Sequence, residues 1–147
     1  MPEYKTILTT TDFSDPALLG VKYAADLAAR LKSTLILAYV VEEKLPALIL
    51  AATSDPVERI VESHRKHAEK SLADYAEEHL SGTGVETVVV QGFAHVAIVE
   101  LARARKADLI VLGTHGHGLM GRILMGSTTE RVIHEAPCPV MVVPSPH

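Results

Sequence analysis

The chain has 147 residues, enough for one domain of common size with a core that needs no staples, and a single domain over residues 1–147 is the expectation. Hydrophobic residues make up 48% while aromatics are 4% and Trp is absent, so the core must be built from Ala, Val, Leu and Ile, a palette suited to buried parallel strands under Ala-rich helices. A formal charge of −4, with no run of Lys or Arg longer than two residues, leaves no electrostatic footprint for nucleic acid.

The N-terminus runs from Met1-Pro2-Glu3-Tyr4-Lys5 straight into a strand-like segment, without an apolar stretch of signal-peptide or span length. No membrane span and a cytoplasmic location are therefore expected. Thr6 to Thr11 reads as the first strand. Asp15-Pro16 then offers an N-cap with proline at N1, and Leu18, Val21, Ala25, Ala28 and Leu31 recur at helical spacing. Leu35 to Val41 is a continuous apolar run, as expected of a strand buried on both faces.

Glu42 to Ser54 breaks the rhythm with Pro46 and the string Ala47-Leu48-Ile49-Leu50-Ala51-Ala52, which reads as a short helix or a lid. Asp55-Pro56-Val57-Glu58 opens a long helix whose one face carries Val57, Ile60, Val61, His64, Ala68, Leu72, Tyr75 and Ala76, and Ser81-Gly82-Thr83-Gly84 ends it. Val85 to Gln91 is the third strand, residues 94 to 106 the third helix and Asp108 to Leu112 the fourth strand. Ser127 opens a last helix to about Ala136, and Pro139 to Val143 forms the fifth strand. Alternation from end to end is the pattern of βαβ units around a parallel sheet.

The chemistry lies between the fourth strand and the last helix. Glycines at 113, 116, 118 and 121, followed by Gly126-Ser127-Thr128, can present bare backbone N–H groups to an anion, with the helix N-terminus adding positive potential. Ser127-Thr128-Thr129-Glu130 also spells a capping box, so Ser127 as an ordinary N-cap is the plainer reading of those residues. Two familiar patterns match by letter only. Gly121 to Thr128 has Walker A spacing, but Ser127 stands where a phosphate-binding lysine is required; Gly116 to Gly121 spells a dinucleotide fingerprint, but it follows the fourth strand and not the first.

Gly113-Thr114-His115-Gly116, then nine residues, then Gly126-Ser127, resembles the motif of the ATP-binding members of the universal stress protein family. The resemblance extends over the whole chain. It includes the opening Ile7-Leu8-Thr9-Thr10-Thr11-Asp12-Phe13-Ser14, the strand exit Leu109-Ile110-Val111-Leu112-Gly113 and the closing Ala136-Pro137-Cys138-Pro139-Val140-Met141-Val142-Val143-Pro144. It implies an α/β fold of the adenine nucleotide alpha hydrolase-like kind: an open, parallel, five-stranded sheet of order 3-2-1-4-5 with helices on both faces. In such a sheet ligands bind at the carboxyl ends of strands 1 and 4, where the order reverses.

Site residues follow from the resemblance one by one. Asp12 matches the aspartate that bonds ribose hydroxyls, with Thr10 and Thr11 before it; Thr10 stands where nucleotide-binding relatives often carry proline or a small apolar residue. An Asx-turn that caps the first helix is the alternative role for Asp12. Val40, or else Val41, matches the residue whose main chain reads the adenine edge. Leu112, Gly113, Thr114, Gly116, His117 and Gly126 would line the sugar and phosphates, with Ser127 and Thr128 donating to phosphate. Arg122 is either a solvated loop charge or a γ-phosphate contact. The ligand implied is ATP, with Mg2+ held only through its phosphates.

The remaining reactive side chains have plain readings. His115 and His117 lack neighbouring Cys, Asp or Glu and form no metal site, His64 and His67 fit a helix surface, and Cys138 between two prolines fits packing. No catalytic residue stands out, so the function expected is a nucleotide-binding stress-response sensor or switch with at most slow ATP hydrolysis. A weak ATPase or phosphotransferase, and a module for a cyclic nucleotide or flavin, are the alternatives. A homodimer through Val140, Met141, Val142 and Val143 is expected from the edge position of the fifth strand.

Overall fold

Strands and helices form where the sequence periods ask for them. The computed structural model describes residues 3–42, 57–114 and 125–145. It contains β1 (Thr6–Thr10), α1 (Asp15–Leu31), β2 (Thr34–Val41), α2 (Val57–Leu80), β3 (Glu86–Gln91), α3 (Ala94–Ala104), β4 (Leu109–Gly113), α4 (Ser127–Glu135) and β5 (Val140–Val143). All strands pair in parallel in the order β3-β2-β1-β4-β5, as the family resemblance implied. The segment expected to be a short helix or lid, Glu42 to Ser54, lies outside the described residues beyond Glu42.

Each inner strand is apolar on both sides and feeds two cores. Ile7, Leu35, Leu37, Leu109 and Val111 pack with Val21, Ala24 and Ala28 of α1 and Ala68, Leu72 and Ala76 of α2. Their neighbours Leu8, Ile36, Ala38, Ile110 and Leu112 face Ile98 and Ala102 of α3 and Val132 of α4. Right-handed crossovers dictate this division, because the chain winds outward from β1 to β3 and then turns back past β1 to β4 and β5. Burying each Leu or Ile contributes about 1.5–3 kcal/mol over leaving it in water.

Polar groups inside the sheet are paired. The Thr9 hydroxyl, wholly buried, donates to the Val111 carbonyl at 2.8 Å and ties β1 to β4. At the other end of the sheet Asp108 Oδ2 accepts from the backbone N–H groups of Lys5 (2.8 Å) and Thr6 (2.9 Å).

The carboxyl end of β4 is held against α1 by two glycines. A Cβ on Gly113 would overlap the Pro16 carbonyl oxygen, and one on Gly20 would stand 2.7 Å from the Gly113 nitrogen. Helix and strand backbones touch directly here. Gly113, singled out from the sequence as a ligand-side glycine, thus has a packing requirement of its own, and Gly20 is its partner.

Element starts shift by a residue. Ser14, and not Asp15, is the N-cap of α1; its side chain accepts from the Ala17 N–H at 3.3 Å. At α4 the N-cap is Gly126, so Ser127 occupies the first helical position and the capping box read from the sequence is not formed. Among the described residues no helix is long and apolar enough to cross a membrane.

Candidate functional site

The strand order reverses between β1 and β4, and a cleft of about 420 Å³ opens there at the carboxyl ends of the strands. Ligand sites commonly span about 300–1,000 Å³. Thr10, Thr11 and Asp12 form its floor after β1; Tyr39, Val40 and Glu42 come from β2 and its exit; Leu112 and Gly113 come from β4. Ala94 and Ile98 of α3 and Thr128 and Thr129 of α4 close the far side. Segments a hundred residues apart in sequence therefore meet.

Asp12 is exposed and held in a defined orientation. Its Oδ1 accepts from the Ser14 N–H at 2.9 Å, while the Thr11 hydroxyl oxygen accepts from the Phe13 N–H at 2.9 Å. Both bonds fall inside the turn from β1 into α1, so the Asx-turn weighed from the sequence is real. It engages one carboxylate oxygen; Oδ2 has no protein partner among the described residues.

The turn contains a backbone outlier. Phe13 has φ +69°, a left-handed conformation that costs a non-glycine residue about 1–2 kcal/mol. Its ring lies in a groove beside α2, where it stacks on Tyr39 at 4.9 Å and meets the edge of Tyr75 at 5.4 Å. Tyr75 in turn touches His79 at 4.6 Å.

α4 contributes an anion-ready end. Gly126 caps it in extended conformation (φ −67°, ψ 158°) with no side-chain hydrogen bond, and its carbonyl accepts from the Glu130 N–H at 3.1 Å. The first N–H groups of the helix thus keep their donors, with the positive end of the helix dipole behind them. Thr128 and Thr129 in this first turn line the cleft.

Of the residues proposed from the sequence, Thr10, Thr11, Asp12, Val40, Leu112, Gly113 and Thr128 gather around one space. The choice between Val40 and Val41 follows from strand alternation: Val40 lines the cleft, whereas Val41 lines a groove on the other face of the sheet. Thr114 is buried and turned to β5, its hydroxyl oxygen accepting from the Ser145 N–H at 3.2 Å. Gly126 and Ser127 belong to the turn that presents Thr128. Gly116, His117 and Arg122, with His115, lie outside the described residues.

Sequence reasoning missed Ala17, Tyr39, Glu42, Ala94, Ile98 and Thr129 in the cleft. It also missed the neighbouring groove of about 850 Å³ between α2 and the ends of β1 and β2, lined by Phe13, Tyr39, Tyr75, His64, His67 and Glu78 among others. Tyr39 borders both the cleft and the groove, which period-two alternation in β2 does not announce, and nothing local announces a left-handed Phe13. His64 and His67 are exposed on α2, as read.

Two groups have shifted acidity. Burial pushes the Tyr75 phenol up, its approach to Thr11 opposes this, and the negative charges of Asp12, Asp15 and Glu78 add to the rise. Burial also raises the Cys138 thiol, helped by Asp108, which suits a packing residue beside the second core better than a nucleophile. Among the described residues no three His, Cys, Asp or Glu side chains gather closely enough to hold a metal ion.

Comparison with known proteins agrees with this architecture. The model of the universal stress protein family matches residues 3–144. Universal stress protein MJ0531 of Methanocaldococcus jannaschii is 36% identical over 144 residues, covering 97% of this chain and 84% of its own. The solved structure of protein MJ0577 from the same organism superposes with a TM-score of 0.79 at 28% identity, covering 99% of each chain. A universal stress protein solved in complex with cAMP is also 28% identical, with a TM-score of 0.70 over 97% of this chain and 98% of its own. A family match over nearly the whole length, on the strand order and switch point described above, shows that this chain belongs to the universal stress protein family.

Proposed function

We propose that the cleft binds an adenine nucleotide, ATP in the first instance, and that the protein acts as a nucleotide-responsive regulator in stress and not as a rapid enzyme. The observation that carries this reading is the pairing of two complementary ends in one cleft: the α4 N-terminus, without a side-chain cap, lines it through Thr128 and Thr129, and Asp12 lines it from the turn after β1. The first suits phosphate and the second suits sugar hydroxyls. The main chain of β2 at Val40 would read the base, and the glycine pattern at 113, 116 and 126 resembles that of ATP-binding relatives.

In this reading Mg2+ is held through the phosphates, and Gly116, His117 and Arg122 complete the phosphate side. With no paired carboxylates or lysine at the described phosphate end, turnover is slow at most. The relative solved with cAMP favours testing a cyclic nucleotide beside ATP.

Titration calorimetry with ATP, AMP and cAMP on the wild type and on Gly126→Val tests the reading. The extended backbone at Gly126 accepts valine without strain, so the variant should fold as the wild type does. A branched side chain there should nonetheless abolish nucleotide binding by filling the approach to the N–H groups. ATP affinity that is the same in both proteins would refute the assigned phosphate end.

A further inference from the structure

The geometry points to Phe13 and Tyr75 as positioning residues that hold Asp12 toward the cleft from the opposite face of the sheet. The inference rests on the nucleotide reading of the cleft and adds α2 to its machinery.

Asp12 and Phe13 are consecutive and point to different spaces. Asp12 lines the switch-point cleft, whereas the Phe13 ring enters the groove between α2 and β2. At the same place the backbone takes a left-handed φ of +69° at Phe13. A non-glycine residue persists in such a conformation only where its surroundings over-determine it, and such residues concentrate at functional sites.

The surroundings here can be named. On one side the ring stacks on Tyr39 at 4.9 Å with planes 29° apart; on another it meets the Tyr75 edge at 5.4 Å and 73°. Its N–H is held by Thr11. Tyr75 reaches the same turn through its ring edge, which contacts Phe13; its buried hydroxyl makes no hydrogen bond. Tyr75 is only 8% exposed, anchored in the core by α2, so it offers the turn a rigid abutment.

Loss of the ring contacts leaves the left-handed residue unsupported. The turn then relaxes, the Ser14 N–H to Asp12 bond loosens, and the carboxylate loses the orientation that this bond gives it beside the cleft. Phe13 and Tyr75 touch no ligand in this scheme. They act through Asp12 alone.

A mutant cycle on the full chain tests the scheme, with ATP as the probe. Phe13→Leu and Tyr75→Leu should each weaken ATP binding about tenfold, the scale of coupling between residues in contact. Tyr75→Phe, which keeps the ring, should retain wild-type affinity. In an Asp12→Ala background Phe13→Leu should cause no further loss. Amide NMR shifts of Phe13 and Ser14 should move in the ligand-free Leu variants and stay in Tyr75→Phe. Phe13 is 39% exposed, so its variant keeps the core intact should Tyr75→Leu fail to fold. Unchanged affinity in Phe13→Leu, or an equal loss with and without Asp12, overturns the positioning role while the wild type still binds ATP. A wild type that binds no adenine nucleotide overturns the cleft reading itself, and this inference with it.

Discussion

Replacing Gly113 by alanine should be among the most damaging single-methyl additions in the chain, although the position lies at the end of a strand beside an open cleft. The added Cβ would overlap the Pro16 carbonyl oxygen, with Pro16 C at 3.0 Å and Ala17 Cα at 3.3 Å. All three are backbone atoms of α1, so no side chain can swing aside, and the helix start must move off β4. Overpacking of this kind costs about 1–3 kcal/mol, and a rigid backbone neighbour puts the variant near about 3. Gly20→Ala meets the same interface more gently. Its nearest contact is 2.7 Å, short of the 3.4 Å of ordinary van der Waals contact. Alanine also returns roughly 1 kcal/mol of helix propensity inside α1.

Urea denaturation should therefore rank Gly113→Ala well below Gly20→Ala, with Tm falling by about 3 °C per kcal/mol lost in a chain of this size. The double variant should lose less than both singles together, because α1 withdraws from β4 only once. Since Ala17 lines the cleft and Asp12 precedes the helix, the same withdrawal should weaken nucleotide binding. A Gly113→Ala protein within 0.5 kcal/mol of the wild type, the error expected of an innocuous surface change, would refute the backbone-contact argument.

Asp108→Ala should lower stability by about 1 kcal/mol, since it removes the acceptor of the part-buried Thr6 N–H and the exposed Lys5 N–H; an unchanged urea midpoint would show that water replaces it freely. Tyr75 holds its proton more tightly folded than unfolded, so its contribution is fully present below its ordinary value of 10.0 and is lost as pH rises through the higher folded value. Wild type should thus lose stability relative to Tyr75→Phe above pH 10, and parallel pH profiles would contradict that sign. We also propose a homodimer through the edge strand β5, where Met141 is 37% exposed and Val140 and Val142 are half-buried. Sedimentation should show a dimer converted to monomer by Val142→Lys, and a monomeric wild type at tens of micromolar would end the proposal.

The sheet was legible because its signals are local. Apolar runs such as Leu35 to Val41 have the length of a buried strand and fall short of a helix, and capping residues mark helix starts to within a residue. The remaining errors lie between adjacent residues that are each able to cap: Ser14 beside Asp15, and Gly126 beside Ser127. A capping box is a statement about side chains, and at α4 it was defeated by the glycine one place earlier, whose carbonyl already accepts the first helical bond. Gly113 and Thr128 stood in the glycine-rich segment and helix start read from the residues, Asp12, Val40 and Leu112 were reached through the family resemblance, and the strand order explains why residues so far apart share one cleft.

What the sequence concealed is tertiary in origin. Gly20 is an unremarked glycine inside a helical pattern, and only the approach of β4 gives it a purpose. Phe13 has no propensity for left-handed backbone, and the rings that contact it there, Tyr39 and Tyr75, arrive from β2 and α2. Both cases concern α1. Its N-terminal turn is pressed from one side by glycine-to-glycine contact with β4 and clamped from the other by aromatic rings, and Asp12 stands at the point where these constraints meet. Rigid support of that kind is what a carboxylate needs to distinguish ligands by the hydroxyls they present. A change at Phe13, which is 39% exposed, should therefore be felt first at the ligand, before it is felt in the stability of the sheet.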